Sequence, residues 1–235
     1  MFKLKTLVFA MSVLVSLPAI SSNIALSKNR VDFDKNANTR DVVEVKSLDN
    51  SRNVYFKTIL REVLDPQKGT NSQYSEDRDP SQSGIFVTPN KAVITPDQKT
   101  ENISIINTNK NLEKERVYRL DVIPVIPKVA GEQFQAQMKV LLAYDVLIHV
   151  QPQNPTISHE YYFDNGAFFF KNSGNMHVLL SNGMQCNASD KCSPINTGKV
   201  FADKTVSVAL NEDTTRVEYE IVAKGIGREN IVFKR

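Results

Sequence analysis

The sequence predicts an all-β chain folded as two sandwiches behind a cleaved export signal. Three observations carry that prediction. Short runs rich in Val, Ile, Phe and Tyr alternate with turn residues along the chain, at intervals of about ten residues. No helical period of useful length follows the N-terminal segment. A Pro- and Asn-containing joint, "QPQNPT", separates the runs into two sets. With 235 residues in all, this reads as two immunoglobulin-like β-sandwich domains, expected at 23–151 and 153–235.

The first element is "MFKLKTLVFAMSVLVSLPAISS". Lys3 and Lys5 precede an apolar run to about Leu17, then come Pro18 and small residues, the pattern of a secretory signal peptide at 1–22. The run is too short for a membrane span, which needs about 20 apolar residues. An exported mature protein is therefore expected.

"NRVDFD", "DVVEVKSL" and "NVYFKTILREVL" read as half-buried strands. "LDPQKGTNSQYSEDRDPSQSG" is polar and without period, a long exposed loop. "GIFVTP", "KAVITP", "ENISIINTN" and "RVYRLDVIPVI" resume the strands, with Pro89, Pro96 and Pro127 at run ends where proline harms a sheet least. "FQAQMKVLLAYDVLIHVQP" follows. Phe134, Ala136, Met138, Val140 and Leu142 share one face, with Gln135, Gln137 and Lys139 on the other, and the stretch then turns almost wholly apolar, so it is expected to be one unusually long strand with an apolar stripe.

Beyond the joint, "HEYYFDNGAFFFKN" places Asn165-Gly166 between two aromatic runs, the strongest hairpin signal in the chain. "NMHVLLSNGMQC", "KTVSVAL", "RVEYEIVAK" and "ENIVFKR" complete the second set.

A net charge of +3, with basic residues scattered among acidic ones, gives no ground for nucleic-acid binding. Cys186 and Cys192 are the only cysteines, and in an oxidising compartment so close a pair is expected to form a disulfide worth about 2 kcal/mol. His149, His159 and His177 sit at no metal-ligand spacing. No nucleophile elbow, zinc-protease motif or phosphate-binding glycine loop is present, so no catalytic residue, cofactor or metal is expected.

"NRVDFD" at the start of the first domain, "ERVYRLDVIPVIP" near its end and "MKVLLAYDVLIHVQP" closing it resemble the PapD-like periplasmic chaperones of the chaperone–usher pathway. "NSGNMHVLLSNGMQC", followed closely by a second cysteine, looks like the alternate class serving colonisation-factor-type fimbriae. The resemblance covers essentially the whole mature chain. It implies a periplasmic, non-enzymatic chaperone whose partners are fimbrial subunits and the outer-membrane usher. Such a chaperone lends an edge strand to a subunit that lacks its last strand, and chaperone–pilin pairs are among the known instances of strand addition. On that reading Phe134, Ala136, Met138, Val140 and Leu142 are the donor-strand contacts. It also explains an edge that soluble proteins normally cover, and it leaves self-association through that edge open when no subunit is bound.

In the family, an arginine on the first strand and a lysine on the last strand of the first domain hold the subunit's terminal carboxylate. Arg30 matches the arginine. The lysine position falls at Leu147, so the chain departs from the wider family there, and neither Lys139 nor His149 matches by position. The alternative reading is a fimbrial structural subunit or adhesin. A subunit should carry an alternating donor segment directly after the signal, whereas "SNIALSKNRVDFD" begins with polar residues.

Overall fold

A computed structural model describes residues 23–34, 39–75, 80–126 and 141–235. The first set of strands comprises β1 (Ile24–Leu26), β2 (Arg30–Phe33), β3 (Arg40–Ser47), β4 (Val54–Glu62), β5 (Ile85–Thr88), β6 (Lys91–Ile94), β7 (Thr100–Asn107), β8 (Arg116–Val125) and β9 (Tyr144–Val150). They form a sheet ordered β1-β3-β7-β5 facing a sheet ordered β2-β9-β8-β4-β6. Every ladder is antiparallel except that between β2 and β9.

β8 illustrates why these residues make a sandwich. Tyr118, Leu120 and Val122 are buried, while Arg119 and Asp121 face outward and pair with Asp145 and Arg61 respectively. The inward side chains join Phe33, Val43, Phe56, Ile103 and Ile148 in one core. The Tyr118 hydroxyl donates to the Ser83 carbonyl at 2.6 Å, so the ring is buried with its polar end satisfied. The polar stretch expected to be a loop contains a 3-10 turn over Pro66–Asn71 and a four-residue helix, Pro80–Ser83.

The second set comprises β10 (His159–Asp164), β11 (Ala167–Asn172), β12 (Val178–Asn187), β13 (Cys192–Pro194), β14 (Gly198–Val200), β15 (Thr205–Ala209), β16 (Thr214–Ala223) and β17 (Gly227–Lys234). One sheet runs β10-β11-β15 and the other β13-β12-β16-β17, with β14 also on β12. Phe168, Phe170, Val217, Tyr219, Ile221 and Phe233 build a separate core. The protein is thus two immunoglobulin-like sandwiches. Asn165 and Gly166, both at positive φ (45° and 75°), turn β10 into β11, the backbone an Asn-Gly hairpin requires.

One expectation needs correcting. The stretch beginning at Phe134 is not a continuous strand to its end, because β9 starts only at Tyr144 and residues 141–143 are described but not in a strand. Tyr144 pairs with Val122; two residues further along the same register Leu142 would face Pro124, which has no N–H to give. Phe134, Ala136, Met138 and Val140 lie outside the described residues.

Candidate functional site

β2 alternates, with Val31 and Phe33 turned into the first core and Arg30 and Asp32 left on the outer face. Arg30 grips Asp32 side-on, Nε at 2.9 and 3.0 Å and Nη2 at 2.8 Å. In the parallel register its neighbour on β9 is Leu147. The arginine singled out from the sequence therefore sits directly beside Leu147.

The second sandwich brings the remaining charges. Lys224, in the turn after β16, reaches Asp32 with its Nζ at 2.6 Å, and the Gln151 amide donates to the Lys224 carbonyl at 2.8 Å. Burial works to raise the Asp32 carboxyl, but the hydrogen bonds and charges of Arg30 and Lys224 outweigh it and hold the group below its ordinary range. Lys199, in the middle of β14, borders the same cleft, a cavity of about 600 Å³ that Arg30, Leu179, Val222, Lys224 and Ile226 also line. Burial pushes the Lys199 ammonium down, and the nearby positive charge of Arg30 pushes the same way, against Glu115 and Asp32. Its amine has no hydrogen-bond or ion-pair partner among the described residues. Arg30 and Lys224 share one carboxylate and Lys199 has none, so the cleft carries surplus positive charge against apolar walls, the make-up of an anion site.

Behind the cleft lies a buried polar cluster that joins the two sandwiches. Glu115 Oε1 lies 2.7 Å from His149 Nδ1 and 2.6 Å from His177 Nδ1, while Oε2 accepts the His177 backbone N–H at 2.8 Å. The side chains of Glu115, His149 and His177 are 2 %, 2 % and 7 % exposed. Burial works to raise the Glu115 carboxyl, yet the two imidazoles outweigh it and hold it at about 2. An ionised carboxylate only accepts, so both Nδ1 atoms carry the proton. The three residues are of types that zinc takes, but the Nδ1–Oε1 separations are those of hydrogen bonds. Tetrahedral ligands at zinc distances stand about 3.3 Å apart. The cluster is a hydrogen-bonded carboxylate. Further ties across the boundary are Lys204 to Asp65 at 2.9 Å and the Gln67 side chain to the Lys199 carbonyl and the Phe201 N–H at 3.1 and 2.9 Å.

Of the donor-stripe residues, Leu142 is described and is half exposed, next to an exposed Leu141, just before β9. Cys186 and Cys192 form the expected disulfide. It joins register partners on β12 and β13, at the opposite end of β12 from Leu179. Sequence reasoning missed Lys199, Lys224 and the Glu115–His149–His177 cluster. Lys199 stands on a three-residue strand too short to show a period, and the histidines meet only across the domain boundary.

No protein-family model matches the sequence, and no curated protein matches it significantly. Solved structures do match. The class 5 fimbriae chaperone CfaA superposes with a TM-score of 0.73 at 20% identity, over 91% of this chain and 99% of that one. A structure from work on a chaperone–tip adhesin complex in CFA/I fimbriae biogenesis gives 0.73 at 19% identity, over 91% and 99%. A structure of the Salmonella enterica SafA pilin in complex with the SafB chaperone gives 0.54 at 11%, over 93% and 99%. Likeness at such low identity shows a shared fold along nearly the whole chain.

Proposed function

We propose that this protein is a non-enzymatic periplasmic chaperone that binds fimbrial subunits by donor-strand complementation, keeps them from aggregating and delivers them to the outer-membrane usher. Its domains are taken as 23–151 and 153–235, after a signal peptide at 1–22. The observation that carries the reading is the positively charged cleft between two sandwiches, with Arg30 opening β2 beside β9. Support comes also from the fold likeness to fimbrial chaperones and from the alternating stripe Phe134, Ala136, Met138, Val140 and Leu142 leading into β9.

On this reading the subunit's C-terminal carboxylate enters the cleft and its open groove takes the stripe as a strand. Asp32 occupies the Nε edge of the Arg30 guanidinium, which leaves the end-on pair of Nη donors to grip a carboxylate through two parallel hydrogen bonds. Lys199 supplies the second positive charge from the other domain, where the resembling family uses the position held here by Leu147. Lys224 stays on Asp32 and keeps that carboxylate from repelling the ligand.

Periplasmic co-expression with a fimbrial subunit tests the function: a stable one-to-one complex is expected, and subunit that aggregates regardless would overturn it. A peptide copying the subunit's C-terminal residues tests the anchor. The free acid should bind and the C-terminal amide, which lacks the charge, should not.

A further inference from the structure

His149 lies on the outward face of β9, in step with Leu147, so strand alternation alone would leave it in solvent. Instead it is 1 % exposed, covered by His177 and by the Phe201 ring stacked at 6.4 Å. Glu115 and His149 come from the first sandwich and His177 from the second. The hydrogen bonds of this one carboxylate therefore span the joint between domains.

We infer that the Glu115–His149–His177 cluster is a proton-sensitive lock: charged at Glu115 it holds the two sandwiches in one relative orientation, and protonated it lets them move while each stays folded. This goes beyond chaperone function and does not depend on it. The reason lies in where an added proton can go. On His149 it must take Nε2, which is buried with no hydrogen-bond partner among the described residues, so a new N–H would be stranded out of water. On Glu115 it would take Oε2, the oxygen that accepts the His177 backbone N–H, and remove the charge that both imidazoles bind. Both routes weaken the joint, whereas opening lets water solvate the proton.

The surrounding charges do not reverse this. Lys199 faces His149 from β14 and disfavours its protonation, as burial does more strongly; Glu115 alone opposes them. Asp32 on β2 is committed to Arg30 and Lys224. On the other side of Glu115, Arg116 is paired with Glu62 at 2.6 Å, and Lys204 with Asp65.

The test needs no subunit. Spin labels at Lys46→Cys and Glu229→Cys, exposed positions on β3 and β17, report the distance between the sandwiches by electron–electron resonance. The expected result is one narrow distance at about pH 7.5 that broadens as pH falls below about 4.5 towards about 2, where Glu115 takes up its proton, with far-ultraviolet circular dichroism unchanged. Glu115→Gln, a neutral copy of the protonated side chain, should be broad at both pH values. A wild-type distance that stays narrow across that range overturns the inference, as does broadening that appears only with loss of the folded signal. The wild-type titration decides the matter even if Glu115→Gln does not fold.

Discussion

Arg30 and Leu147 are register partners across the parallel β2–β9 ladder. This adjacency turns a sequence departure into a structural one. Where the sequence resemblance leads one to expect a second cation beside the arginine on the neighbouring strand, this chain sets an aliphatic side chain. Lys199, whose amine borders the same cleft without a partner among the described residues, belongs to the other domain.

Both cations should therefore matter for subunit capture, and unequally. Arg30→Ala removes a two-bond grip on a carboxylate, about 2–3 kcal/mol or on the order of 30- to 150-fold in affinity. Lys199→Ala removes a single point charge and should cost about 1–2 kcal/mol. Adding Leu147→Lys to Lys199→Ala should recover part of the loss. Peptide titration of the folded variants measures all three; a Lys199→Ala protein binding as wild type would show that the second contact comes from elsewhere.

The stripe gives a sharper test, since Met138, Val140 and Leu142 together would bury roughly 5–9 kcal/mol of apolar surface in a partner before ordering costs. If this face waits for a subunit, Val140→Asp leaves the free protein folded and abolishes capture. In an ordinary core strand the same change buries an unpaired carboxylate and costs several kcal/mol of stability. Thermal melting beside a periplasmic pull-down separates the two, and a lost melting transition would sink the donor-strand assignment.

The disulfide between Cys186 and Cys192 closes a short loop at the end of β12 away from the cleft. Changing both to Ser should lower stability by about 2 kcal/mol while subunit capture persists. A denaturant titration of the second-sandwich signal reads the first effect. Loss of capture without loss of folding would place the bridge nearer the binding surface than its position on β12 indicates.

Acid should destabilise the protein through the buried cluster. Glu115 is held at about 2, below its ordinary 4.5, so its contribution is present above about 4.5 and is lost as pH falls towards 2, on the order of 3 kcal/mol. His149 is also lowered, by burial first, so the native state resists its protonation and stability declines as pH drops below the ordinary 6.5. Both slopes run the same way. Denaturant midpoints should fall between pH 7 and 3, and Glu115→Gln should start lower and fall less; equal slopes in the two proteins would refute the assignment.

Much of the fold was legible because a sandwich writes itself locally. The two-residue alternation of β8, with Tyr118, Leu120 and Val122 inward, needs only its own neighbours to be read. So does the Asn165-Gly166 turn, and so does a cysteine pair six residues apart. Alternation states which face a side chain takes and not what covers that face. That is why β9 was read as too long, its pairing ending at Tyr144, and why His149, correctly outward, proved to be buried. It is also why Arg30 could be named in advance by resemblance while Lys199, Lys224, Glu115 and His177 could not. Their positions follow from how one sandwich packs on the other, through contacts between residues that no local period relates. The sequence by itself determined two β-sandwiches, a disulfide and one arginine at the mouth of a strand. Only the tertiary structure decided that the cations of one domain would meet the arginine of the other, because burial and charge balance at the joint are properties of both surfaces together.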